Sequence, residues 1–255
     1  MRIWPIYKKE LVLYFTSPVA YVLLTIFLFI TGLFFYAMFS GFADASMQVA
    51  ANPGMARDFN VNDSVLRGLF DNMRVILLLI MPLVTMRLFA EERRSGTLEL
   101  LLTYPVRDGA VLIGKYLAAL TLYSVMIGAM LAYPLILSYF AHVEWGSLLT
   151  GYIGLLLMGA MFAAVGLFAS SLTENQIVAA VVAFGILLSF WIIGWLANFV
   201  SGPVGAVLTH LSLLEHNDAF AKGVLDTKDV IYYLDFIALA LFLALRSLES
   251  RRWRG

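Results

Sequence analysis

Cysteine is absent from this 255-residue chain, which removes disulfides, thiolate metal sites and cysteine nucleophiles together and leaves the redox compartment undefined. Charge is scarce as well: 13% of residues are Asp, Glu, Lys or Arg against 62% hydrophobic, and the two signs cancel to a formal net charge of zero. At a mean hydropathy of +0.87 there is too little polar surface to cover a soluble globule of this length, so composition assigns an integral membrane protein and points to no nucleic-acid partner. Histidine occurs only at His142, His210 and His216. None forms an HExxH pair, and the six-residue gap between His210 and His216 does not put both on one helical face, which leaves little material for a metal centre. No GxxxxGK[ST] occurs. Residues 113–116, IGKY, lack both the glycine loop and the Ser/Thr that would hold Mg²⁺, so the chain cannot cradle ATP itself. Without a GxSxG either, it is not an enzyme on its own and carries no cofactor.

What the chain has is apolar length. We divide it as one transmembrane domain over 1–255, all-α and polytopic, with spans at 18–39, 73–90, 111–140, 146–171, 176–200 and 229–248. The first span reaches roughly 33 Å at helical rise, enough for a hydrocarbon core of about 30 Å. Ala43, Asp44 and Ala45 look like a signal cleavage site, yet the run before them exceeds the roughly 7 to 15 apolar residues of a signal peptide. Residues 1–17 place Trp4, Tyr7, Leu11 and Tyr14 at three- and four-residue spacing with Arg2, Lys8 and Lys9 off that stripe. They form either a helix lying in the membrane interface or a charged leader to the first span.

Residues 41–72 read as a polar loop with a turn at Asn52-Pro53-Gly54 and a short helix over 65–70. Pro82 inside the second span kinks it or serves as a hinge. The third span, with Pro134 near its outer end, must tilt, kink or protrude. In the fourth, Gly159 and Ala163, Ala160 and Ala164, and Gly166 and Ser170 repeat every four residues, as do Ala179 and Ala183 in the fifth; such spacing lets helix backbones approach closely in lipid. Residues 201–228 are too polar to cross. Their apolar part, 204–214, is expected to dip into the membrane edge under the protection of protein.

Between the second and third spans lies the densest charge in the sequence, 86–106, MRLFAEERRSGTLELLLTYPV. Arg87, Glu91, Glu92, Arg93, Arg94 and Glu99 cannot sit in hydrocarbon, where each ionised side chain costs a few kcal/mol. The stretch is therefore an aqueous connection. Ser95-Gly96 breaks helical continuity, and 97–103 can form a short helix with Leu98, Leu101 and Leu102 on one side, stopped before Pro105. Its charges are either a solvated turn or a contact surface.

Six spans put both termini on one side of the membrane. Twelve basic residues gather there, Arg2, Lys8, Lys9, Arg87, Arg93, Arg94, Arg107, Lys115, Arg246, Arg251, Arg252 and Arg254, against Arg57, Arg67, Arg74, Lys222 and Lys228 elsewhere. The positive-inside rule makes the side with the termini cytosolic.

With that topology, the 91–106 reading EERRSGTLELLLTYPV resembles the first cytosolic loop of the type-2 class of ABC exporters, whose members carry an acidic pair, a Gly-Thr and a leucine run before Pro. The start, TSPVAYVLLTIFLFITGLFFY, and the end, AFAKGVLDTKDVIYYL and SLESRRW, further resemble the branch associated with bacterial gliding motility and, more distantly, with nitrous-oxide-reductase maturation. The resemblance implies a permease subunit of the bacterial inner membrane that dimerises with an identical or related permease and binds two copies of a separate ATPase, which holds the ATP and Mg²⁺. It also implies that 91–105 is the coupling loop, with Glu91, Glu92, Arg93, Arg94, Ser95, Gly96, Thr97, Leu98, Glu99, Leu101 and Leu102 meeting the ATPase, and that 204–222 lies on the outer face. Two outputs fit: export or movement of a substrate of unknown class, or transmission of force to an extracytoplasmic protein. A secondary carrier or intramembrane enzyme needs a group at mid-span, and only Asp235 offers one. We expect Asp235 near the outer interface, bonded to a tyrosine or facing water.

The topology predicts that a reporter fused after Gly255 is cytosolic and one inserted near Pro53 is outside. Both reporters on one side of the membrane would overturn the six-span arrangement.

Overall fold

The structure, a computed structural model, describes residues 3–51, 60–97, 107–197, 199–200 and 202–252. No strand occurs among them, and six of the helices are long and apolar enough to cross a membrane. In chain order the elements are α1 (Ile3–Thr16), α2 (Pro18–Ala51), a π-turn (Asn62–Arg67), α3 (Gly68–Thr85), α4 (Arg87–Arg94), α5 (Asp108–Met130), α6 (Ala132–Leu137), α7 (Trp145–Leu172), α8 (Gln176–Ala197), α9 (Pro203–Leu211), α10 (Leu213–Ala221) and α11 (Thr227–Arg252). Pro18 separates the first two, because a proline disfavours helical backbone in the residue before it.

Helix α7 is the centre of the bundle. It packs against α3, α4, α5, α8, α10 and α11, and 72% of its most apolar window is buried, against 17% for α2. Its small residues make this possible. A Cβ on Gly154 would stand 2.7 Å from Phe220 Cβ, and Cβ atoms on Gly151, Gly159 and Gly166 would collide with Phe70, Tyr123 and Thr85. Tyr123 then donates to the carbonyl of Leu155. The four-residue small spacing therefore serves packing within this chain, with Ala163 and Ala164 fully buried.

The connection expected as a loop over 41–72 is largely helical instead. Helix α2 runs 34 residues, roughly 51 Å and thus about 20 Å more than the hydrocarbon core. Met38, Phe39 and Phe42 pack on the core along its far part, so tertiary contact carries the helix past its apolar stretch; the expected turn at 52–54 lies outside the described residues. The third span breaks at Leu131 into α5 and α6. Pro134 explains the break, since its ring clashes with the carbonyl four residues earlier and it donates no hydrogen bond.

At the end of the bundle away from the termini, the large buried side chains of the outer segment lie in α10, which overlaps the expected 204–214 only at its first two residues. Leu213 and Phe220 are fully buried, while Val204 and Val207 of α9 are 62% and 59% exposed. Ser212 caps α10 by accepting from the Glu215 amide at 3.3 Å. Asn217 donates to the Gly154 carbonyl at 3.2 Å, and its own carbonyl accepts from Arg74 at 3.1 Å. The break at Ser212 also brings His210 and His216 together from two different helices, ring centroids 5.6 Å apart. His216 stacks on Tyr232 at 3.9 Å, with Nδ1 2.6 Å from Asp229 Oδ1 and Nε2 2.9 Å from the His210 carbonyl oxygen.

Of the two surroundings expected for Asp235, the bond to a tyrosine is not formed. The residue is exposed and has no hydrogen bond or ion pair among the described residues. Tyr232 and Tyr233 donate instead to the carbonyls of Leu211 and Leu213. At about 100° per residue, Asp235 lies roughly 200° around α11 from Tyr233, which turns it to the outside of the bundle.

Adding a side chain at the α7 crossing tests this packing. Gly166→Val is expected to destabilise the detergent-solubilised protein by about 1 to 3 kcal/mol by overpacking against Thr85, whereas Gly41→Ala, with nothing within 4 Å of the new Cβ, is neutral. Equal denaturation curves for the two variants would refute the close approach.

Candidate functional site

The charged stretch after the second span begins as helix α4, a continuation of α3 past a break in the backbone ladder. The break has a specific cause. Ser170 of α7 inserts its hydroxyl into the ladder, accepting from the amides of Phe89 and Ala90 at 2.9 and 3.1 Å and donating to the Met86 carbonyl at 2.8 Å. A side chain inserted between i and i−4 partners is a recognised source of helix bending. The interruption thus falls at Met86, four residues after Pro82, and α7 holds it. Helix α4 ends where Gly96 takes φ +69°, with its amide on the Arg93 carbonyl at 3.1 Å, a backbone state that favours glycine.

Helix α4 is tied to its neighbours by ions. Glu92 accepts from Lys9 of α1 at 3.0 Å and lies 3.0 Å from the Lys115 ammonium of α5, which also donates to Glu10 of α1 at 2.7 Å. The Lys115 side chain is 1% exposed and sits 5.4 Å above the Phe89 ring. Two carboxylates from two helices thus share one buried ammonium from a third. Close by, Arg87 lies over the Tyr14 ring at 4.5 Å and donates to Ser17 Oγ at 3.3 Å, while Tyr14 donates to the Val84 carbonyl at 2.8 Å. Burial pushes the Tyr14 hydroxyl pKa well above the usual phenol range, despite the opposing pull of Arg87, so it stays a neutral donor. Helix α1 is consequently docked along α5, with Tyr7 and Thr121 hydroxyls 2.9 Å apart. Between α1 and α4 remains a cleft of about 440 Å³ lined by Lys9, Glu10, Arg87, Glu91, Glu92 and Thr97, among others.

The expected contact residues divide into three groups. Glu91, Arg94, Ser95, Gly96 and Thr97 are exposed at the tip of α4, with the Ser95 and Thr97 hydroxyls 2.8 Å apart. Glu92 and Arg93 turn inward, Glu92 to the Lys115 junction with a side chain 12% exposed and Arg93 into a buried position. Leu98, Glu99, Leu101 and Leu102 lie outside the described residues. Sequence reasoning missed Glu10, Lys115 and Ser170 as parts of one unit. The available signal was a lysine and a glutamate each set in otherwise apolar helical surroundings, GKYLAAL and KKELVLY.

The junction makes an energetic prediction. Lys115→Met alone leaves two carboxylates buried without their cation and is expected to cost about 3 to 5 kcal/mol. Replacing all three groups, Lys115→Met with Glu10→Met and Glu92→Met, recovers most of that loss, because an apolar set of similar volume needs no counter-charge. Denaturation midpoints of the purified variants check both statements; a single variant as stable as the wild type would sink the junction.

Among known proteins, no curated protein matches the chain. A family model does, that of the ABC-2 family transporter protein, over residues 4–245. The matched segment runs from α1 through most of α11 and takes in all six long helices, the α4 tip and the ions beneath it. On that match, the chain belongs to the ABC-2 family of transporter proteins.

Proposed function

We propose that the chain is the permease subunit of an inner-membrane ABC complex in which the tip of α4 and the leucine-rich residues after it receive a separate ATPase. The observation that carries this is the contrast between the exposed Glu91, Arg94, Ser95, Gly96 and Thr97 and the anchored base behind them, where Glu92 and Ser170 tie α4 to α1, α5 and α7. A tip free to bind on a base that cannot slip is what coupling requires. A displacement imposed at the tip passes into three other helices at once instead of being lost in a pliable loop. ATP and Mg²⁺ belong to the ATPase, of which two copies bind a pair of permeases, identical or related, and the end carrying the termini faces the cytosol.

In this arrangement Glu91 and Arg94 set the register of the ATPase by charge complementarity, and Leu98, Leu101 and Leu102 supply the apolar face. Glu92 and Arg93, turned inward, support the tip from beneath and do not meet the ATPase. The output is export or movement of a substrate. The length of α2, whose 34 residues exceed the bilayer, favours a second output, force passed to an extracytoplasmic protein. The likeness of the terminal stretches to the gliding-motility branch supports the same reading.

Exchanging the tip charges, Glu91→Lys with Arg94→Glu, keeps net charge and topology. It is expected to lower ATPase recovery in pull-down, or its stimulated hydrolysis, about tenfold at equal permease levels, with an unchanged denaturation midpoint. If association and hydrolysis both match the wild type, α4 is not the coupling element.

A further inference from the structure

We infer that the outward face of α11 around Asp235 is a binding surface for a transmembrane helix of a different protein, one that carries a lysine or arginine at the same depth. The charges carried within the other long helices at depth are matched: Arg74 binds Asp71 at 3.0 Å, and Lys115 binds Glu10 and Glu92. Asp235 is not. It stands eight residues past Thr227, roughly 12 Å along the helix, on a face where Ile231, Leu234, Leu239 and Phe242 are 49 to 53% exposed. An ionised carboxylate against lipid costs a few kcal/mol, and groups of this kind face protein or water when a membrane protein is assembled.

The large neighbours of Asp235 on this side are apolar, and Ala238, exposed one turn below, leaves room for a second backbone to come close. A second copy of this chain does not meet the need. Two α11 helices facing each other would oppose two carboxylates. Among the described side chains of α11, the cations Lys228 and Arg246 are engaged, with Asp226 and Glu249, and lie at other levels. A cationic side chain on a foreign helix satisfies the charge, and the large apolar residues on either side supply the packing.

The test is reconstitution of the full-length permease in phosphatidylcholine vesicles, labelled through a cysteine introduced at Ser250 in this cysteine-free chain, with a labelled leucine-rich transmembrane peptide. The peptide carries either one lysine at the Asp235 depth or leucine at that place. Energy transfer is expected to show the lysine peptide binding on the order of tenfold more tightly than the leucine peptide, with the preference lost in Asp235→Leu and reduced in Asp235→Asn, both lying on an exposed face where neither disturbs the fold. Equal binding of the two peptides, or a preference that survives Asp235→Leu, overturns the inference. So does loss of the preference in vesicles rich in phosphatidylethanolamine, which would assign Asp235 to a lipid amine, and so does efficient disulfide formation between two copies of an Ala238→Cys variant.

Discussion

A buried ammonium must be matched where it sits, and the whole terminal end of this bundle is arranged to match one. Lys115 enters the interior on α5, and the two carboxylates that neutralise it arrive from different helices, Glu10 on α1 and Glu92 on α4. Separating either from the ammonium leaves a charge in a low-dielectric interior, so three helices move together or not at all. The junction adds little net stability over an apolar core of similar volume. What it contributes is registration, a reason for the short N-terminal helix, a helix leaving the second span and the start of the third span to keep one relative position.

The second control on α4 comes from α7. Glycine at 166 lets α7 approach the end of α3 closely, and one turn later the Ser170 hydroxyl replaces the backbone partners that α4 needs at its start. Helix α4 is therefore a separate segment with its own anchor, not a frayed extension of the second span. Its base is ordered by ions on one side and by a hydroxyl on the other, and its tip is left polar and uncovered. The proposed contact with an ATPase rests on that distribution more than on the charge content of the segment.

The opposite end obeys the same constraint by other means. Helix α10 carries polar backbone and an asparagine into the bundle, which is tolerated because Arg74, Asn217, Gly154 and Tyr233 satisfy one another. The packing of His216 between Tyr232 and the Asp229 carboxylate holds the break at Ser212 closed. Nearby, Asp218 accepts from both Arg67 and Lys222. Burial alone would raise its pKa, and the two cations outweigh that and hold it below the ordinary carboxylate value. Below the unfolded carboxylate range this contribution is lost as Asp218 protonates; above it, the contribution is fully present.

The residues alone determined the class, the number of long apolar helices and the place of the charged connection, because transfer of charge into hydrocarbon is so unfavourable that composition decides it without geometry. They also marked the end of α4 at Ser95-Gly96, since only backbone freedom was at stake there. The tertiary structure decided which of four adjacent charges face outward. Glu91 and Glu92 are chemically identical neighbours, and a turn of about 100° between them on the helix puts one in solvent and the other on Lys115. It decided as well that α2 continues past its apolar run and that the large buried side chains of the outer segment lie in α10, with α9 largely exposed. Asp235, expected to bond a tyrosine or to face water, is exposed on α11, and Tyr232 and Tyr233 bond backbone carbonyls instead. Each of these depends on which neighbouring helix a side chain meets, and a linear chain carries the helical period but not the identity of the helix across the interface.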